Sequence, residues 1–461
     1  MKNKLFISTY CVLILLLTSC SGYLDVKPKG KIIPETAEDF STIIHYWLDQ
    51  IEKGRDDVII SNPGETTKLE MFADDLNATL ASNFSYTSIY VGSAINKNQA
   101  GYKTLYSIIK DCNMIIDNMD DTESDLARTL LGTAWSIRSI CYYNLMQRYC
   151  EPYQPETAQE TLGLPLVDDF DMEAKPARSS LKETAEFIEE GFRNALSYNV
   201  SNEDFLFTSS VTKAYLARFF FWTQNWGNAI TYAKEVLEKY PMLEADEYVE
   251  AISLKQAKAH NVIIRSFTLD DDMGTMSYAT AQVDIKTRPV DKNMVDLFAT
   301  SDNDVRRRCN HDSKRLVNKI ITTKMRSEEL CLIIAESYAH LNQETDALGY
   351  LNLLRSKRIT QDYAAYTMNN LPEVFQQSIK TDATGIPLTK LMSAILCERR
   401  KELFAEGDRW FELKRNGRPE FWVTAKGKKF ITEKYLYTFP FPKADINLYP
   451  GLLIQNPGYI E

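Results

Sequence analysis

Leu216 and Ala217, Phe220, Trp226, Ala229 and Pro241 are spaced as one helix–turn–helix unit. A leucine, a small residue, two aromatics, an alanine and a closing proline fall within a repeat of about 34 residues. The alanines let two helices approach closely, and Pro241 ends the second. A weaker copy follows in Ile334, Ala335, Tyr338, Ala347, Leu351 and Leu354. Such a hairpin cannot bury its apolar face by itself, so hairpins stack and share a core. This pattern constrains the chain more than any other and predicts a mainly α fold.

Two further stripes precede these. Tyr102, Leu105, Tyr106, Ile109, Met114 and Ile115 make one, and Leu130, Leu131, Ala134, Trp135, Ile137, Arg138, Cys141, Tyr142 and Leu145 make another. Together they predict an antiparallel helix pair. Thr36 is placed to cap a helix that carries Phe40, Ile43, Ile44, Trp47, Leu48 and Ile51. The reading is therefore a scaffold of tetratricopeptide-like helical repeats, with an irregular loop-rich second lobe and a few short strands. The repeats are not contiguous, so inserted segments must interrupt the stack. Residues 54–100 read as a long, partly irregular excursion, and residues 259–300 as a second insertion with β-like runs near Asn261–Phe267 and turn material around Gly274. Residues 360–388 form a third. The body is expected to span residues 36–461 as one unit.

The N-terminus reads as an export signal. Lys2 and Lys4 precede an apolar run from Tyr10 to Leu17, and Leu17-Thr18-Ser19-Cys20 closes it. This closing tetrapeptide resembles the lipobox of bacterial lipoproteins, which implies cleavage of a signal peptide at residues 1–19 and a palmitate-type lipid on Cys20. An ordinary cleaved signal with a nearby cysteine is the alternative. Pro28, Gly30 and Pro34 mark residues 20–35 as an extended tether. The remaining cysteines are scattered without a C-x-x-C pair, which favours buried free thiols, although a Cys141–Cys150 bridge stays open from spacing. At 44% hydrophobic and 25% charged residues the body is ordinary for a globular protein, and a net charge of −10 argues against a nucleic-acid partner.

Enzyme signatures are missing. No G-x-S-x-G, Walker-type loop or H-E-x-x-H occurs, and His45, His260, His311 and His340 are far apart. Nothing calls for a metal or cofactor. Asp270-Asp271-Asp272-Met273-Gly274 lacks the alternating ligands and final glutamate of a calcium loop and reads as a solvated turn. On a charged helix from Glu398 to Arg415, Glu398, Glu402 and Glu406 would share one face. A glycosidase uses two carboxylates, one with a raised pKa. Here Arg399, Arg400 and Arg409 stand beside the acids, which favours a structural ion-pair network with depressed pKa values.

The loop aromatics are the better binding signal. Phe84, Tyr86 and Tyr90 lie in polar sequence without helical period. A sugar presents an apolar C–H face and a fringe of hydroxyls, and it suits a flat ring beside amide and carboxylate groups. Asp74, Asn77 and Asn83 are candidates for those groups, with Asp74-Asp75 alternatively turn or cap residues. Tyr278 and Arg288 are weaker candidates. The alternative is that these rings seal the loop onto the body.

Several motifs then fall in one order. They are Tyr23-Leu24-Asp25-Val26-Lys27-Pro28, Gly163-Leu164-Pro165-Leu166-Val167, and Glu398-Arg399-Arg400-Lys401-Glu402-Leu403-Phe404-Ala405-Glu406-Gly407-Asp408-Arg409-Trp410-Phe411-Glu412-Leu413-Lys414-Arg415. Phe439-Pro440-Phe441-Pro442 and Gln455-Asn456-Pro457-Gly458-Tyr459 close the series. Together they resemble the SusD/RagB family of Bacteroidetes outer-membrane lipoproteins across nearly the whole chain, with Ser139 replacing the usual alanine after Arg138. The resemblance implies a non-enzymatic, surface-exposed nutrient-binding lipoprotein. It implies an oligosaccharide ligand, a SusC-type TonB-dependent transporter as partner, and ligand contacts from loops that interrupt the repeats. Peptide capture is the alternative within the family; a glycoside hydrolase or a bare interaction scaffold lies outside it.

Overall fold

The computed structural model describes residues 34, 36–56, 58–97, 101–171, 175–253, 262–265, 272–299, 303–321 and 324–459. Cys20, the signal segment and almost all of the tether lie outside these residues.

Thr36 caps the first helix, α1 (Ala37–Glu52), in a capping box with Asp39. The expected pair forms as α3 (Tyr102–Asn118) and α4 (Asp125–Tyr149), with Ser124 capping α4. Next come α5 (Leu181–Ser197), α6 (Ser209–Trp222) and α7 (Trp226–Lys239), the last two joined by a short turn. The second repeat copy is α9 (Ser327–His340) and α10 (Glu344–Ser356). Helix α3 packs on α4, α4 on α5 and α6 on α7, while α7 packs on α9 and α9 on α10. The contact between α7 and α9 matters most here. More than eighty residues separate them in the chain, yet the stack continues as if the insertion were absent. Ala217, Ala229, Ala233, Ala335 and Ala347 are fully buried at these crossings, where small side chains permit close approach. A contiguous apolar core runs from Phe40 to Leu453. Each fully buried leucine or phenylalanine in it contributes roughly 1.5–3 kcal/mol.

The insertions hold more helix than the sequence suggested. Within residues 54–100, α2 (Pro63–Phe72) begins at Asn62, whose side chain accepts from Glu65 N at 2.9 Å. Asn62-Pro63-Gly64 is thus a helix start, with proline at the first helical position, where its missing N–H costs nothing. Phe84–Ser88 forms a further short helix. In the second insertion, β3 (Val262–Arg265) pairs antiparallel with β4 (Lys324–Arg326), matching the β-like run. Gly274 lies inside α8 (Asp272–Ile285), not in a turn, and α8 packs on α2. Asp270 and Asp271 lie outside the described residues. Residues 360–388 are irregular, as expected.

The charged segment is two helices and not one. α11 (Lys390–Leu403) stops, and α12 (Asp408–Arg415) begins after Gly407. Ala405 and Gly407 take left-handed φ values of 61° and 82°, which breaks the helix between them. Trp410 stacks on Tyr437 at 4.4 Å between ring centres. Two small hairpins complete the body: β1 (Leu162–Pro165) with β2 (Arg178–Ser180), and β5 (Phe421–Ala425) with β6 (Lys428–Thr432). The Asn456 amide donates to the carbonyls of Tyr149 and Phe439 at 2.7 Å each, so the C-terminal motif clamps the end of α4. Cys141 and Cys150 are both free and buried, which closes the question of a bridge between them.

Candidate ligand-binding cleft

From the end of α2 the chain runs along residues 287–291. Asn77 N donates to Pro289 O, Ser82 N to Thr287 O and Asp291 N to Asp75 O, at 2.7–2.8 Å. Arg288 is fully buried beneath this strip and donates to the carbonyls of Met71 and Thr87. It holds the strip in place. The hairpin β5–β6 packs over residues 78–97. Thr424 N donates to Thr79 Oγ1, and the Lys426 ammonium sits 5.0 Å over the Phe84 ring. Gly92, at φ 55°, lies against the Ile431 backbone, where a Cβ would meet Ile431 O at 3.0 Å. Side chains are therefore excluded at that contact.

Strip and hairpin enclose a cleft of about 180 Å³. Asn77, Asp291, Asn293 and Trp422 line it. The Asn77 amide donates to Asp291 Oδ2 at 2.9 Å, and its carbonyl accepts from Leu80 N at 3.1 Å. Trp422 is 59% exposed, with the Lys429 ammonium 4.9 Å from its ring. An exposed indole beside an amide–carboxylate pair is the surface that a sugar ring with its hydroxyl fringe fits.

The sequence-based candidates divide here. Asn77 lines the cleft. Asn83 is exposed, and Phe84 is half-buried under Lys426. Tyr86 lies on the short helix Phe84–Ser88, and its side chain is outside the described residues. Tyr90 is buried, 6.1 Å from Phe72, and belongs to the core. Asp74 is turned inward to Arg409 at 2.7 Å. Burial would raise this carboxyl, but Arg409 and Arg400 outweigh it and hold it well below the usual range. Tyr90 therefore does not present a group to a ligand, while Asp74 borders the cleft with its carboxylate committed to Arg409. Tyr278 is half-buried on α8. Trp422 was not singled out from the sequence. The signal available was Gly427 between two short β-prone runs, the mark of a hairpin.

The acids of α11 and the segment after it are closed off by charge. Glu402 meets Arg326 at 2.7 Å, Arg358 at 3.1 Å and Arg306 at 3.3 Å. Glu406 meets Lys319 at 2.6 Å and Arg326 at 2.8 Å. Glu398 meets Arg306, which also holds Asp304. These partners come from distant segments and not from the neighbouring arginines expected in the sequence. Arg399 bonds Asp408, Arg400 bonds Asp75 and Arg409 bonds Asp74. Successive helix residues face different directions, which is why adjacent acid and base do not pair. Burial would lift the Glu398 carboxyl, but Arg306 and Lys401 hold it down at about 2. Glu402 is likewise held low against burial by Arg358, Arg326 and Arg306. Glu70 shows the opposite shift: burial, with Asp75 nearby, pushes it up to about 8. It has no exposed surface, and it accepts from Gly407 N at 2.8 Å. A glycosidic oxygen cannot approach it.

Fold and cleft together define a helical-repeat binding protein. Two family models match the chain: one described as starch-binding and associating with the outer membrane, over residues 22–221, and the SusD family, over residues 305–459. The chain belongs to the SusD/RagB family. Among solved structures, a SusD superfamily protein from Bacteroides vulgatus is 19% identical with a TM-score of 0.70, covering 93% of this chain and 100% of that one. A SusD superfamily protein from Bacteroides thetaiotaomicron gives 17% identity and 0.69, over 92% and 100%. A laminarin-binding SusD-like protein gives 15% and 0.61, over 92% and 99%. No curated protein sequence matches. Among the described residues no helix is long and apolar enough to cross a membrane.

Proposed function

We propose that the protein captures an oligosaccharide at the surface of the outer membrane and delivers it to a SusC-type TonB-dependent transporter. The observation that carries this reading is Trp422, open to solvent in the cleft that the Asn77–Asp291 pair also lines. The family assignment supports a glycan as the ligand, as does the relative described as laminarin-binding. Asn83, Phe84 and Tyr86, a few residues further along the same excursion, are additional candidate contacts. Lipid on Cys20 would tether the body through residues 20–35, leaving the helical stack as a broad rigid face for the transporter. The mechanism is capture without bond cleavage: the acids around Glu402 are engaged by fixed cations, and Glu70 is sealed from solvent.

A glycan array that includes laminarin and starch oligosaccharides, run beside a peptide library, tests the ligand class. Binding to a glycan that Trp422→Ala weakens supports the reading. Binding to peptides alone moves the protein to the peptide-capturing side of the family, and steady release of shortened sugars makes it a hydrolase. Membrane attachment is read from palmitate labelling lost in Cys20→Ala. Delivery is read from co-purification with the transporter.

A further inference from the structure

A second cavity, of about 120 Å³, lies between residues 58–69, α4, α6, the start of α9 and α12. This is well above the ~10–15 Å³ a single water needs. Its wall mixes apolar side chains with four arginines, Arg148, Arg218, Arg399 and Arg415, and four acids, Glu329, Glu406, Asp408 and Glu412. Every acid on it is already engaged. Glu329 is bound by Arg218, Asp408 by Arg399, Glu412 by Arg409, and Glu406 by Lys319 and Arg326.

The donors are not so engaged. Arg148 is 4% exposed, and among the described residues no carboxylate lies within ion-pair distance of it. Its Nε has no hydrogen-bond partner, and its guanidinium rests 5.7 Å over the Phe411 ring. Arg399 Nη1, Arg415 Nη1, Trp222 Nε1 and Ser61 Oγ on the same wall are also buried without partners. Arg415 spends one nitrogen on Glu336 at 2.7 Å and lies over Phe221 at 4.1 Å. Against these donors a single lining acceptor, Glu412 Oε1, is unmatched. A buried arginine without a counter-charge is strongly destabilising, and so is each buried donor without an acceptor. Water accepts from such donors, but it carries no charge to set against Arg148.

We propose that this chamber binds one small oxyanion, of phosphate or sulfate size, with Arg148 as its counter-charge and Arg399, Arg415, Trp222 and Ser61 as donors. The anion bridges the turn at residues 58–61 to α4, α6 and α12. That turn is also drawn tight by Asp56, whose carboxylate accepts from the four N–H groups of Val58, Ile59, Ile60 and Ser61. The site is separate from the cleft under Trp422, so it stands whether or not a glycan binds there.

The test uses the purified full-length body. Protein is desalted, denatured and analysed by ion chromatography, and the melting temperature is followed with inorganic phosphate or sulfate against chloride at matched ionic strength. The expected result is either about one oxyanion released per chain or a rise of roughly 2–4 °C with phosphate beyond chloride. Arg148→Met abolishes both readouts. Should that variant fail to fold, Trp222→Phe keeps the packing, deletes one donor and reduces the shift. A melting temperature indifferent to oxyanions, with none released on denaturation, overturns the proposal. So does a phosphate response that survives in Arg148→Met, or in Trp222→Phe at full size.

Discussion

Around Glu402, three arginines reach one carboxylate, and both partners are sealed from water. On the β5–β6 hairpin, a tryptophan stands open on a cleft that also holds an amide and a carboxylate bonded to each other and to the backbone N–H groups of Leu80 and Asn293. The first region is rich in charge and has nothing left to offer a ligand. The second is modest in charge and keeps a largely exposed indole beside polar groups that are only partly engaged. The density of ionisable residues is thus a poor guide to a site. Residual, uncommitted surface is the better one.

Acid should separate the two regions most. The Glu336 and Glu398 carboxyls are held at about 2 in the folded protein, against about 4.3 when unfolded. The folded state therefore binds fewer protons in this window. The stability they contribute is present above about pH 4.3 and is lost as pH falls toward 2. Urea midpoints should fall steeply between pH 4.5 and 2.5, and a flat profile would break the idea of a saturated network. Next in size, Glu402→Gln removes the one carboxylate that three buried arginines share, although each keeps another acid, and should cost about 3 kcal/mol in denaturant unfolding. Tyr90→Ala should cost about 3 kcal/mol of stability through a core cavity. Its ligand affinity, measured below the melting transition, should stay unchanged; a selective loss of binding would return Tyr90 to the site. Trp422→Ala should act in the opposite sense. Affinity should fall roughly tenfold, or about 1.4 kcal/mol, with the melting temperature nearly unmoved. Unchanged binding in that variant would sharpen the comparison by shifting the platform to Phe84 or Tyr86.

Part of the site could be read from the sequence. Asn77 emerged because amides near loop aromatics suit sugar hydroxyls, and it does line the cleft. Asp74 and Tyr90 look the same in sequence but are already engaged: Asp74 borders the cleft with its carboxylate held by Arg409, 335 residues away, and Tyr90 packs on Phe72 in the core. Gly274 resembled a turn signal, yet α8 tolerates it because packing on α2 outweighs the roughly 1 kcal/mol glycine costs a helix.

What the sequence determined by itself was local. Apolar period, the Thr36 cap and the small residues at helix crossings dictate helices and their hairpins, since these act within a few turns of chain. Tertiary structure alone decided which charges meet and which aromatic stays in water. Arg400 finds Asp75, and the β5–β6 hairpin finds residues 78–97, only after more than three hundred residues have folded between them. Burial of a charge or a ring is a property of that assembled packing, and no residue carries it alone.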